Sequence, residues 1–133
     1  MKKHLSKTYC LFTLLFISGC SGPFLVFPGG ALDGPEQGIE SASIVGDGAL
    51  VQLETRPSDP YSVNLNGFYI SGSVYLDPTN ERTWYTHIMD DARVRIKFEG
   101  DETVYTAIAV VETNTDIINQ FESDRIVIRL DPR

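Results

Sequence analysis

The chain has 133 residues, 42% hydrophobic, 22% charged and 11% aromatic, a composition that excludes a collagen, a low-complexity tail and a disulfide-dense mini-protein. Acids outnumber lysines and arginines, 18 to 11, and Lys2, Lys3 and Lys7 sit in a leader. From Cys20 onward, 114 residues hold eight cations against the 18 acids, a net charge of −10; this opposes binding to nucleic acid and leaves room for one small domain.

The leader starts with a basic stretch, Met1–Lys7, followed by the apolar run Leu11–Ile17. A helix that spans a bilayer needs about 20 apolar residues, so this run is too short to remain as an anchor. It leads into Ile17-Ser18-Gly19-Cys20, which resembles the lipobox of bacterial lipoproteins: an aliphatic residue, two small residues, then the cysteine whose thiol takes diacylglycerol. The alternative is a plain secretory signal with a leftover cysteine. The resemblance implies a signal peptide over 1–19, acylation of Cys20 and anchorage to a membrane through that lipid. Ser21 in place of an acid implies the periplasmic face of the outer membrane. With Cys10 in the leader and Cys20 acylated, no thiol remains for a disulfide, a thiolate metal site or a cysteine nucleophile. His87 is the only histidine beyond the leader, so no metal site is expected.

Residues 20–48 are rich in glycine and include Pro23, Pro28 and Pro35, which reads as a lipidated tether or irregular arm. Within it, Phe24-Leu25-Val26-Phe27 is apolar; it either packs on the domain or sits near the membrane. From Ala49 the period becomes two. Ala49, Val51 and Leu53 alternate with Gln52 and Glu54, and Tyr61–Leu65 alternates again. Asn66-Gly67 predicts a bulge or turn, and Ser71-Gly72 a hairpin turn into Ser73–Leu76.

A helix is expected within Asn80–Asp91. Its apolar stripe is Trp84, Ile88, Tyr85 and Met89, and its capping candidates are Asp77, Thr79 and Asn80. Strands resume where Arg93, Arg95 and Lys97 alternate with Val94, Ile96 and Phe98. Glu99–Glu102 is a turn, Thr103–Val111 a strand, Thr115–Ser123 a short helix and Arg125–Leu130 a last strand. The sum is a mainly β domain over 49–133, a small six-stranded antiparallel barrel with one or two short helices.

The segments Leu53–Leu65, Val74-Tyr75-Leu76, Thr83–Ile96 and Asp124–Arg129 resemble the FMN-binding split-barrel superfamily, which includes the pyridoxamine 5′-phosphate oxidase-like proteins. They resemble its deazaflavin-dependent nitroreductase branch most. Thr55-Arg56-Pro57-Ser58-Asp59 stands where that branch has a Gly-Arg-x-Ser/Thr-Gly turn, and Trp84-Tyr85-Thr86-His87-Ile88 where it has a Trp-Tyr-x-Asn-Leu helix. The resemblance implies a split β-barrel, usually a homodimer, holding FMN or a deazaflavin in a groove. It departs from the branch in its cations: Arg56 is followed by Pro57 and Asp59, and Arg82 stands beside Glu81.

The resemblance makes Arg56, Ser58, Tyr61, Asn64, Arg82 and Trp84 the candidate cofactor-binding residues. Each also has a plainer role. Arg56, Ser58, Tyr61, Ser62 and Asn64 suit either a phosphate or ring edge, or a turn with cross-strand hydrogen bonds. Arg82 suits an anion at a helix N-terminus or a solvated helix start. Trp84 suits a stacked ring or the core, and His87 an acid–base role or packing. The Arg93, Arg95, Lys97 stripe suits an anion grip or a charged edge strand. Asp90-Asp91 and the acids at 99–102 read as solvated turns, and no nucleophile elbow, phosphate-cradling loop or zinc-protease helix is present. Two functions therefore remain. One is a lipid-anchored barrel that binds a flavin-like or other small aromatic ligand, with any catalysis that of a flavin- or deazaflavin-dependent reductase. The other is a non-catalytic envelope module that has lost its cofactor.

Overall fold

The computed structural model describes residues 22–25, 27–42, 48–80, 82–121 and 124–133; the leader and Cys20 lie outside them. In chain order these residues form β1 (Glu36–Gly38), a 3-10 turn at Ile39–Ser41, β2 (Ala49–Thr55), β3 (Tyr61–Ile70), β4 (Ser73–Thr79), α1 (Thr83–Asp90), β5 (Arg93–Phe98), β6 (Val104–Val111), α2 (Thr115–Ile118) and β7 (Ile126–Asp131). The strand order is β1-β6-β5-β2-β3-β4-β7, and β6 also pairs with β7. Six antiparallel strands thus close into a barrel, and β1 adds to it by pairing with β6 in parallel. The fold is mainly β with two short helices, as the sequence pattern implies. Closure removes the exposed edges that would template aggregation.

Alternation fills the interior. Val51, Leu53, Leu76, Val94 and Ile96 point inward and are buried. Trp84 and Ile88, one turn apart on α1, join the same core, while Met89 is half-exposed. A second, smaller core forms outside the barrel wall, where Tyr75 and Val127 pack with Ile117 and Phe121 of the α2 region. Under this cover Glu112 is 6% exposed. Its carboxylate accepts hydrogen bonds from Tyr75 Oη (3.1 Å) and Arg129 Nη1 (2.9 Å) and from the backbone amides of Thr113 and Asn114. The Asn114 amide is the largest influence that holds its pKa down to about 2, against the opposing pull of burial.

Two local expectations are corrected. Asn66-Gly67 makes neither a bulge nor a turn: β3 runs through it in regular register with β2. Gly67 pairs with Ala49 of β2 and with Leu76 of β4, so it marks the corner where the strand passes from one neighbour to the other. A Cβ there would come within 3.0 Å of Val51 Cγ1, which explains the glycine. Asp77 and Thr79 do not cap a helix; they extend β4 past an irregularity in register between Leu76 and Thr79 that accommodates Pro78. The N-cap of α1 is Arg82, with no side-chain cap. By contrast, Ser71 and Gly72, at φ 50° and 88°, form the expected hairpin turn.

The largest difference concerns the arm. Domain packing begins well before Ala49, since Leu32 and Ile39 are buried. Glu54 points outward from β2, yet it is only 3% exposed because the arm covers it. Its Oε2 accepts from the Leu32 amide (2.6 Å) and from Arg95 Nη1 (2.8 Å). Arg95 Nε lies 2.8 Å from Glu36 Oε1, a close but bent ion pair. Lys97 Nζ donates to the Asp33 carbonyl at 2.9 Å. The Arg95 and Lys97 side chains therefore clamp the arm. Nor is β5 an edge strand, as it lies between β2 and β6.

Removing one partner from a buried ion pair leaves the other charge without compensation. Arg95→Ala is expected to destabilise the domain by about 3 kcal/mol and to speed amide exchange at Leu32. Urea unfolding and hydrogen exchange measure the two effects.

Candidate functional site

The residues before Asp33 build one wall of a cleft on the barrel. The segment from Gly22 to Gly29 folds back on itself: Phe24 and Phe27 exchange backbone hydrogen bonds at 3.1 and 2.8 Å. A Cβ at Gly29 would clash with the Gly22 and Pro23 backbones, so only glycine permits the loop's ends to meet. Gly29 and Ser62 exchange backbone hydrogen bonds, each 2.9 Å, and Asn64 Nδ2 donates to the Leu25 carbonyl at 2.8 Å. The loop is thereby fixed across β3.

Between loop and barrel lies a cleft of about 490 Å³, within the usual range for small-molecule sites. Phe27 and Pro28 form one side, and Tyr61, Val63 and Leu65 of β3 the other. Asp77, Thr79, Arg82, Trp84 and Arg125 close the far end, where α1 begins. Four of the six candidate residues therefore share this cleft: Tyr61, Asn64, Arg82 and Trp84. Trp84 is 7% exposed and belongs mainly to the core, so only part of its ring is presented. The Asn64 amide nitrogen is engaged by Leu25. Arg82 is exposed and has no ion pair among the described residues. Thr79 is 2% exposed, and its Oγ1, itself buried, has no hydrogen-bond partner among the described residues.

The other two candidates, Arg56 and Ser58, lie on the β2–β3 turn. Arg56 adopts a left-handed backbone at φ 54°. Its Nε donates to the Asp59 carbonyl (3.1 Å), its Nη2 pairs with Asp59 Oδ2 (3.2 Å), and its guanidinium lies 5.7 Å from the Tyr61 ring centre. Its charge is directed inward onto the turn. Ser58 is exposed there. Arg93 is likewise held by Asp91, whose pKa falls to about 2, chiefly through the Arg93 side-chain hydrogen bond.

A polar cluster lies behind Tyr61. His87 Nδ1 is 2.9 Å from Thr55 Oγ1, which is 3.3 Å from the Tyr61 carbonyl, and the His87 and Tyr61 rings meet edge to face at 4.9 Å. A proton on Nδ1 satisfies both contacts: His87 donates to Thr55, and Thr55 donates to the carbonyl. Thr55 is 1% exposed, so its hydroxyl cannot reach a substrate, and the pair ties α1 to the end of β2. Burial first, and then the Arg56 charge, lower the His87 pKa.

Phe27, Thr79, Arg125 and the Thr55–His87 pair escaped sequence reasoning. Phe27 carried a signal in the apolar run at 24–27. The other positions depend on tertiary crossings that have no local signature. Among the described residues no cluster of His, Cys, Asp and Glu has the arrangement of a metal site.

Because the His87 pKa is lower in the fold than in the free side chain, the unfolded chain takes up the proton first as pH falls past the free value near 6.5. Stability should therefore fall from about pH 7 downward until His87 protonates in the folded state. His87→Gln is expected to flatten this part of the curve and leave the acid loss between about pH 4.5 and 2, where the unfolded chain protonates Glu112 before the fold does. Urea midpoints measured across pH would show the difference.

No protein-family profile matches the sequence, and no curated protein matches it. Among solved structures the barrel is similar to a putative pyridoxamine 5′-phosphate oxidase from Listeria innocua. The TM-score is 0.55 at 13% identity, and the match covers 64% of this chain and 84% of that one. At that identity the likeness establishes the shared split-barrel fold.

Proposed function

We propose that this protein is a lipid-anchored domain of the cell envelope whose cleft binds a planar aromatic ligand carrying a single anionic group, of the flavin mononucleotide class. One observation carries the reading: Tyr61 and part of the Trp84 ring converge with Arg82 in one cleft of ligand size. The aromatic residues and Phe27 would flank the ring. Arg82, at the N-terminus of α1, would meet the anion, favoured by the helix dipole. A bound flavin would supply the redox chemistry, and these residues would position it.

The donor set suits one phosphate better than a polyanionic deazaflavin tail, because Asp77 faces the same cleft and the chain beyond the leader carries −10. Acylated Cys20 would hold the domain at the outer membrane's periplasmic face, and a homodimer is consistent with the barrel class. A second reading, a non-catalytic accessory module, gains support from the engagement of Arg56, Arg93, Arg95, Lys97 and Arg129 in internal pairs or clamps.

Titration of the acylated, detergent-solubilised protein with FMN separates the two. Saturable quenching of flavin fluorescence is expected, weakened at least tenfold by Arg82→Ala, about 1.4 kcal/mol. If FMN, FAD and deazaflavin all fail to bind at ~100 µM, a ceiling near −5 kcal/mol, the accessory reading replaces the first. Acylation is checked separately, as an acyl mass on the N-terminal peptide that Cys20→Ser removes.

A further inference from the structure

We infer that the turn at 24–27 inserts into the lipid bilayer as a second, non-covalent contact beside the acyl chains; this rests on the acylation of Cys20 proposed above. Phe24, Leu25 and Phe27 are 67%, 69% and 66% exposed. They stand on a turn closed by the paired Phe24–Phe27 hydrogen bonds and fastened to β3 through Asn64 and Gly29. The Phe24, Leu25 and Phe27 side chains thus stand in water on a hydrogen-bonded backbone. Exposed apolar patches of this kind mark contact surfaces.

Chain length selects the occupant. The described residues begin at Gly22, two residues after Cys20, and consecutive Cα atoms are about 3.8 Å apart. Phe24, four residues after Cys20, can therefore stand at most ~15 Å from the acylated residue. An anchor this short brings the turn to the headgroup layer, and apolar side chains settle about 5–10 Å into that boundary. Charge agrees with this placement. Cys20 through Leu32 carry no charged side chain, and the first acid is Asp33, so desolvating the turn buries no ion. The body's net charge of −10 is repelled by anionic lipid, which makes zwitterionic lipid the preferred surface.

The diacylglycerol on Cys20 already supplies the two acyl chains that stable anchoring takes. The turn would instead fix the domain's orientation on the membrane, because its backbone is hydrogen-bonded to β3. The cleft wall formed by Leu25 and Phe27 would then lie at the lipid surface.

The test uses the acylated protein reconstituted in phosphatidylcholine vesicles, as Phe24→Trp and, separately, Phe27→Trp. Both positions are exposed, so either replacement should fold. After subtraction of the buried Trp84 signal, the added indole is expected to emit at short wavelength. Lipids brominated near the headgroup should quench it at least twofold. Water-like emission unaffected by brominated lipid, in protein whose mass confirms the acyl chains, overturns the insertion alone. Protein without acyl mass overturns the anchor reading and this inference with it. A shielded indole that brominated lipid leaves unquenched, with sedimentation showing a dimer that Phe24→Ser dissociates, assigns the turn to a second copy and overturns the inference as well.

Discussion

The arrangement depends on one buried carboxylate. Glu54 alternates outward on β2, where the period of the strand alone would place it in water. Instead it is covered, and burying an ion is tolerable only when hydrogen-bonded partners compensate it. The partners come from two directions: Arg95 on the adjacent strand and the Leu32 amide on the incoming arm. The carboxylate thus specifies where the arm must cross. Glu36 then reaches Arg95, Lys97 holds the Asp33 carbonyl, and β1 is set in parallel beside β6. Upstream of Leu32, the chain is directed across β3, where Gly29 meets Ser62. The cleft exists because a segment outside the barrel is fastened in this register; without the clamp, its Phe27 wall would not be there.

How much of this was legible in the sequence follows from what a period can encode. Alternation identifies the inward residues, so Val51, Leu53, Val94 and Ile96 were legible, as was the Trp84–Ile88 stripe of α1. It says nothing of what covers the outward face. Glu54 and Tyr75 both point outward and are both buried, one beneath the arm and one beneath α2. Glycine and proline mark irregular chain, so the arm reads as a tether or an irregular arm. Here the same residues serve close approach, with Gly29 against the Gly22 and Pro23 backbones. The Asn66-Gly67 pair misled in a related way. Glycine there relieves crowding against Val51 at a barrel corner, whereas the local pattern is that of a turn. The basic stripe on β5 suggested an edge because its partners, Glu54 and Glu36, are distant in sequence.

The site was partly legible for a different reason. Tyr61, Asn64, Arg82 and Trp84 were grouped through resemblance to a barrel family, and the structure gathers them around one cleft. Arg56 and Ser58 were grouped with them, but the turn directs Arg56 onto Asp59 and the face of Tyr61. The Thr79 hydroxyl could not be anticipated. It is buried without a partner among the described residues, which is a property of packing and not of residue type.

The distribution of charge connects the fold to the proposed role. A chain with 18 acids and eight cations after its leader has few positive groups to allot. Most secure structure: Arg95 and Lys97 hold the arm, Arg129 neutralises Glu112 and Asp131, and Arg93 pairs with Asp91. What remains at the cleft, Arg82 exposed at the start of α1, can balance about one anion. Aromatic and aliphatic side chains line the rest. Such a donor inventory limits the ligand more tightly than the cleft's volume does: a phosphorylated ring is within its means, and a long anionic tail would meet Asp77 and the body's own field.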